Sequence, residues 1–198
     1  ERELDWMALN GINLPLAIIG TEKVWQNTLQ KFNFSDEEIK SFIPGPAFTA
    51  WWLMDNLEGW GGPVSQQWID SRVELQQKIV KRMRELGMQP IFQGFYGMVP
   101  NKLKDKFPGS RILSDTGNWC GGFQRPAFLD PADTLFSQIA TVYYQEVEKL
   151  YGKGLFFGGD PLHEGGKLNG IINRKVAAKS IQQQMQKASP GSTWVLQG

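Results

Sequence analysis

A chain of 198 residues, 41% hydrophobic and 21% charged, is long enough for one sizeable core, too short to promise two domains and too apolar to be disordered. Its net charge of +1 comes from interspersed acids and bases, and the densest basic run, Lys81-Arg82-Met83-Arg84, lies at helical spacing beside Glu85 as a solvated helix face, which argues against a nucleic-acid partner. No apolar run approaches the roughly 20 residues of a membrane span; the one cysteine, Cys120, cannot form an internal disulfide; and the one histidine, His163, leaves no Cys/His cluster for zinc, so neither a metal nor a cofactor is expected.

The chain opens on Glu1 to Leu9 as though in the middle of an amphipathic helix, and it reads as a piece of something longer. Asn10-Gly11 ends that helix with a residue able to adopt the left-handed conformation. Ile12 to Ile19 reads as a strand. Thr21 can cap a helix to Phe32 whose apolar side carries Val24, Trp25, Leu29 and Phe32. Ser35 and Glu38 form a capping box for a second, short helix.

From Pro44 to Pro63 glycine, proline and tryptophan are dense enough to predict a long loop, and Trp51, Trp52 and Trp60 can either offer faces to a ligand or bury the loop. Ser65 caps a long helix to Leu86. Met88 to Gly94 is a strand, Phe95 to Pro100 a loop, and Asp115 to Phe123 a second glycine-rich excursion carrying Trp119 and Cys120. Asp130-Pro131 predicts a helix start, with the helix running to Tyr151. Leu155 to Phe157 is a short apolar strand, Ile172 to Ala188 a helix, and Thr193 to Leu196 a last strand.

An amphipathic helix, a glycine and a short apolar strand recur at Gly11, Gly87, Gly152 and Gly191. Four such units in series predict parallel strands with helical crossovers. The dinucleotide and phosphate-loop glycine patterns are both missing, since Gly152-Lys153-Gly154 precedes a strand and Gly166-Lys167-Leu168 lacks the hydroxyl residue. The fold class expected is therefore α/β, part of a (β/α)8 TIM barrel with about four parallel strands, crossover helices and long βα loops; a complete barrel needs eight strands and about 250 residues.

Within that frame the stretch Gly158-Gly159-Asp160-Pro161-Leu162-His163-Glu164-Gly165-Gly166 stands where a barrel keeps its chemistry, at the carboxyl end of a strand. From these residues alone a polar loop and a catalytic turn are both open.

Asp5-Trp6-Met7-Ala8-Leu9-Asn10-Gly11-Ile12-Asn13-Leu14, Gly45-Pro46-Ala47-Phe48-Thr49-Ala50-Trp51 and Asp160-Pro161-Leu162-His163-Glu164-Gly165-Gly166 together resemble the α-N-acetylglucosaminidase family of glycoside hydrolases, in the right order and over essentially the whole chain. The resemblance implies that residues 1 to 198 form a partial catalytic barrel, from the helix after the first strand to the fifth strand, with flanking domains in the same polypeptide. It implies a retaining hydrolase that removes terminal α-linked N-acetylglucosamine from glycans. Glu164 would be the general acid/base at the end of the fourth strand, His163 would bond the sugar or Glu164, and Trp51, Trp119 and Met54 would line the sugar pocket. The nucleophile would lie on a later strand, beyond Gly198, and this piece alone would be inactive. No metal, cofactor, membrane or nucleic acid is implied, and the compartment would be secreted, periplasmic or lysosomal.

The stereochemistry of the sugar bears on the mechanism. An acetamido group at C2 attacks only from the face opposite the leaving group, and in an α-glycoside the leaving group occupies the acetamido group's own side. Retention then needs a protein carboxylate, with two carboxyls about 5 to 5.5 Å apart. Two rivals use some of the same residues: a non-catalytic carbohydrate-binding module would keep the tryptophans without needing Glu164, and a structural barrel fragment would need neither.

Overall fold

The computed structural model describes residues 1–161, 164, 167 and 172–196. His163 lies outside the described residues. Among the described residues, eight α-helices are interleaved with short strands: α1 (Arg2–Leu9), α2 (Thr21–Gln30), α3 (Asp36–Phe42), α4 (Thr49–Leu53), α5 (Gln66–Glu85), β1 (Ile91–Gln93), β2 (Met98–Val99), α6 (Leu103–Lys106), β3 (Ile112–Leu113), β4 (Ala127–Leu129), α7 (Thr134–Tyr151), β5 (Phe156–Gly158), α8 (Arg174–Ala188) and β6 (Thr193–Val195).

The strands β1, β5 and β6 form a parallel sheet in sequence order, with Ile91 beside Phe156 and Phe156 beside Thr193. The expected first strand, Ile12 to Ile19, is reduced to a single parallel bridge between Leu16 and Ile91. Its backbone nevertheless follows β1, because Gln89 N donates to Asn13 O, Ile91 N to Pro15 O and Ala17 N to Ile91 O. Pro15 has no N–H and can serve the ladder only as an acceptor, which limits the pairing to this sparse form. Gln76 on α5 donates its amide to Ala17 O and ties the segment to the helix layer.

The helices supply the core. Trp25 on α2 is 2% exposed and meets Phe42, Phe95 and Tyr143 edge-on at centroid distances of 5.4, 5.9 and 5.2 Å. Leu29, Ile39, Phe136 and Ile139 close the same layer with no exposed surface. Aromatic pairs in this range contribute beyond their buried area.

Four expectations need correction. Residues 44 to 63 are less of a loop than their composition suggests, since Pro46–Phe48 forms a 3-10 turn and Thr49–Leu53 forms α4. The helix α7 starts three residues late: Asp130 accepts from Ala132 N and pairs with Arg111 at 2.9 Å, so it serves the preceding turn, and Asp133 caps the helix by accepting from Leu135 N. Thr21 is not the cap of α2; its hydroxyl donates to Ile18 O, and Gly20 holds the cap position. Phe95 to Leu129 also contains an antiparallel sheet in the order β2-β4-β3, whose strands of two or three residues are too short to show any period. The capping box at Ser35 and Glu38 is present as expected, with both reciprocal bonds made.

Candidate active site

Three segments converge at the carboxyl ends of the parallel strands. The first is the turn after α4. Gln93 Nε2 and Tyr96 Oη, both at the end of β1, donate to Leu53 O at 3.1 and 2.9 Å, satisfying a carbonyl that the helix end leaves without a partner. Asp55 N then bonds Trp52 O, and Asn56 N bonds Trp51 O. These two bonds make a Schellman ending, and the left-handed position in it, almost always glycine, is Asp55 at φ 63°. Asn56, the next residue, has no exposed surface.

The second segment is the glycine-rich excursion before β4. Asn118 bridges Gln124, and Trp119 N donates to Phe123 O across a reversal at Gly121 and Gly122. This presents Trp119 and, just beyond, Arg125, which is 3% exposed. The backbone there is held from outside, since Glu58 N donates to Gln124 O and Asn101 Nδ2 to Arg125 O.

The third is the turn after β5. Gly159 has φ 144°, and a Cβ there would sit 2.5 Å from the Tyr96 ring, so only glycine lets the strand end pass. Its carbonyl accepts from Trp194 Nε1 at 2.9 Å. The chain then reaches Glu164, exposed and itself left-handed at φ 49°.

Glu164 Oε2 accepts from Asn56 Nδ2 at 2.9 Å and from Trp119 Nε1 at 2.6 Å. Arg125 Nη2 donates to the Glu164 carbonyl at 2.8 Å, while Nη1 donates at 3.0 Å to both Asp55 O and Asn56 Oδ1. Lys167 N donates to Thr116 O in the excursion. Trp51 leans on Trp119 with centroids 5.4 Å apart at 35°, and it is 40% exposed.

Of the residues singled out from sequence, Glu164, Trp119 and Trp51 are thus brought together. Met54 lies in the wall of a cavity of about 250 Å³ at the strand ends, with Gln93, Gly158, Asp160 and Val195; none of Glu164, Trp51 and Trp119 is in that wall. Trp52 is packing, fully buried against Phe42. Trp60 is 53% exposed and packs edge-on with Phe123 and Phe48. Cys120 is an exposed free thiol.

Asn56 and Arg125 carry no sequence signal of their own. Asn56 follows an aspartate in a left-handed place that composition assigns to glycine, and an arginine before a proline reads as surface.

A buried acid, Asp55, and a half-buried one, Glu58, border this set. Burial raises the Asp55 carboxyl well above the usual range, against the pull of the Arg125 charge. Burial also pushes Glu58 up to about 7, in spite of its bonds from Asn101. Tyr96 is raised by its burial and by the nearby charges of Asp55 and Asp160. Among the described residues, no three His, Cys, Asp or Glu side chains lie together so as to hold a metal ion. The arrangement is that of a carboxyl group whose Oε2 accepts from an amide and an indole, beside the rings of Trp51 and Trp119. It can exchange a proton with a bound group, and the indoles can pack against the apolar face of a sugar ring.

Comparison with known proteins identifies the family of the chain. The family model for the alpha-N-acetylglucosaminidase (NAGLU) TIM-barrel domain matches residues 1–198. Human alpha-N-acetylglucosaminidase is 33% identical over 201 residues, which take in 100% of this chain and 27% of the human protein. A family 89 glycoside hydrolase from Clostridium perfringens, solved with 2-acetamido-1,2-dideoxynojirimycin, superposes with a TM-score of 0.93 at 40% identity, covering 98% of this chain and 22% of the bacterial one. A variant from the same organism with two glutamates changed to glutamine, solved with its substrate GlcNAc-α-1,4-galactose, superposes with a TM-score of 0.92 at 40% identity over the same 98% and 22%. The chain therefore spans about a quarter of the length of these relatives. It belongs to the alpha-N-acetylglucosaminidase family, and the part of that family it matches is the TIM-barrel domain.

Proposed function

We propose that this chain is the portion of a (β/α)8 catalytic barrel running from the helix after the first strand to the fifth strand. The whole enzyme is a retaining α-N-acetylglucosaminidase that removes terminal α-linked N-acetylglucosamine from glycans. Glu164 is its general acid/base. The observation that carries this is the Glu164 carboxylate at the end of β5, held on Oε2 by Asn56 and Trp119 beside the Trp51 indole.

In this reading Glu164 protonates the glycosidic oxygen as the bond to the anomeric carbon breaks, and the leaving sugar departs with that proton. The acetamido group lies on the leaving group's side and cannot attack, so a carboxylate on the opposite face forms the covalent glycosyl intermediate. That nucleophile comes from a later strand of the same polypeptide, beyond Gly198. Glu164, now ionised, takes a proton from the incoming water, which attacks from the leaving group's face and restores the α configuration. His163 and Met54 contact the sugar, and Trp51 and Trp119 pack against its apolar face. Flanking domains complete the protein, and residues 1–198 alone turn over no substrate.

The experiment is Glu164→Gln in the full-length enzyme. Hydrolysis of a GlcNAc-α-galactoside should fall by about 100- to 10,000-fold, and that of an aryl glycoside with an acidic phenol should fall far less in the glycosylation step. Wild-type rates on both would refute the assignment.

A further inference from the structure

The aromatic side chains beside Glu164 continue past the site. Trp119, whose indole donates to Glu164 Oε2, lies 5.9 Å from the ring of Phe123. Phe123 in turn meets Trp60 edge-on at 4.9 Å, and Phe48 backs these two rings at 6.5 and 6.4 Å. The rings thus run without a break from the carboxyl group to Trp60, which is 53% exposed. The loop that bears Trp60 is tightly built. Gly45 N donates to Trp60 O at 2.8 Å and Gly59 N to Phe42 O at 3.1 Å. Gly59 and Gly61 flank the tryptophan at φ 67° and 70°, and a Cβ on Gly59 would strike Ser41 O, as one on Gly45 would strike Gly61 O. An exposed indole on a backbone with this little freedom meets a ligand with its ordering cost already met.

We propose that Trp60, backed by Phe123 and Phe48, is a platform for the leaving glycan: it packs against a sugar beyond the one joined to the scissile bond, and so favours N-acetylglucosamine carried on a chain of at least two further sugars. The inference rests on the reading of Glu164 as the acid of a hydrolase that takes terminal residues. A terminal residue has neighbours on one side only, so any sugar that reaches past its pocket belongs to the leaving group. The acid stands at the oxygen of that leaving group, and the row of rings starts from the indole that bonds the acid. Two ring-to-ring steps separate Trp60 from Trp119, which sets it past the first leaving sugar. A pyranose packs its C–H face on an indole while the hydroxyls at its rim stay in water, which suits a ring left open at the surface.

The test uses the full-length enzyme and two substrates, a GlcNAc-α-galactose disaccharide and the trisaccharide in which that galactose is linked through its reducing end to one more sugar. The quantity read is the ratio of kcat/KM for the trisaccharide to that for the disaccharide from one preparation, from which the folded fraction cancels. The parent should favour the trisaccharide by about 3- to 10-fold, and Trp60→Ala should bring the ratio to about 1. Trp60→Leu is the sharper variant, and it covers the case in which Trp60→Ala fails to fold. It keeps apolar bulk against Phe48 and Phe123 and removes the aromatic face. If Trp60 instead packs against a flanking domain of the same polypeptide, Trp60→Leu lowers Tm and keeps the parent's ratio. The proposal predicts the ratio of Trp60→Ala, and partial recovery of the preference in Trp60→Phe, which restores a ring. Glu164→Gln is measured alongside on the disaccharide. If it suppresses hydrolysis while the parent shows no preference, or while Trp60→Leu keeps the parent's ratio, the platform is overturned and the acid assignment survives; if Glu164→Gln cleaves the disaccharide at the parent's rate, both fall.

Discussion

The layer between α2 and α7 and the Glu164 site are held together by opposite means. Around Trp25 four aromatic rings interlock with almost no exposed surface, and each is backed by several others. Around Glu164 three loops meet through individual hydrogen bonds, two left-handed non-glycine residues and one buried arginine. Apolar packing is redundant and non-directional, so the first region stores stability. Hydrogen bonds are directional, so the second spends conformational strain to fix one carboxyl in one orientation.

Variants can break or sharpen that contrast, and the largest effect belongs to the packed layer. Trp25→Ala should cost about 3–5 kcal/mol in urea unfolding while leaving the kcat of the remaining folded enzyme unchanged. A folded variant with impaired kcat would mean the two regions are coupled.

Next comes Glu58, which borders the site. Burial lifts its carboxyl from the ordinary 4.5 to about 7, so the folded state holds the proton better than the unfolded state does. That stabilising contribution is complete below pH 4.5 and is lost as the pH rises through about 7. Glu58→Gln keeps an acceptor for Asn101 N and should gain about 1–3 kcal/mol over the parent at pH 8 and nothing at pH 4. Equal stability of variant and parent at pH 8, by denaturant unfolding, would count against a desolvated carboxylate at this half-buried position.

Trp119→Phe retains a ring for Trp51 to lean on and deletes only the N–H to Glu164. Activity on a GlcNAc-α-galactoside should fall about tenfold with Tm nearly unmoved. If Tm falls and activity per folded molecule does not, Trp119 belongs to the packed class instead. Smallest is Trp51→Ala, expected to weaken binding of an N-acetylglucosamine-like inhibitor by about 3- to 10-fold, as measured by calorimetry, with the fold intact.

The same contrast explains what could be read from the sequence. The long helices α5 and α7 were legible because their apolar residues recur at helical spacing, and the recurring helix-glycine-strand joints gave the parallel order of β1, β5 and β6. Glu164 stood out through its glycine-bracketed turn after a strand. Its partners did not. Asn56 and Arg125 lie 108 and 39 residues from Glu164 in the chain, and only tertiary folding brings them to it. Asp55 occupies a place where glycine is the rule, so no composition rule finds that helix end. Asp130 and Asp133 both have cap chemistry, and Arg111, beside the paired strand β3, engages both, its guanidinium pairing with Asp130 and its N–H donating to Asp133 Oδ2 while the other Asp133 oxygen caps the helix. Local pattern thus specifies elements whose stability is local or periodic, and it is silent where one distant donor decides.

The role assigned to Glu164 is tested most directly by truncating it. In full-length Glu164→Ala, with an aryl α-N-acetylglucosaminide and added azide, the small anion can occupy the space vacated on the leaving group's face and attack the glycosyl intermediate there. The account predicts slow turnover that azide accelerates, with the α-glycosyl azide as product, retained in configuration. A β-glycosyl azide would make Glu164 the nucleophile rather than the acid/base, and unimpaired hydrolysis of a GlcNAc-α-galactoside by the same variant would remove it from the chemistry altogether.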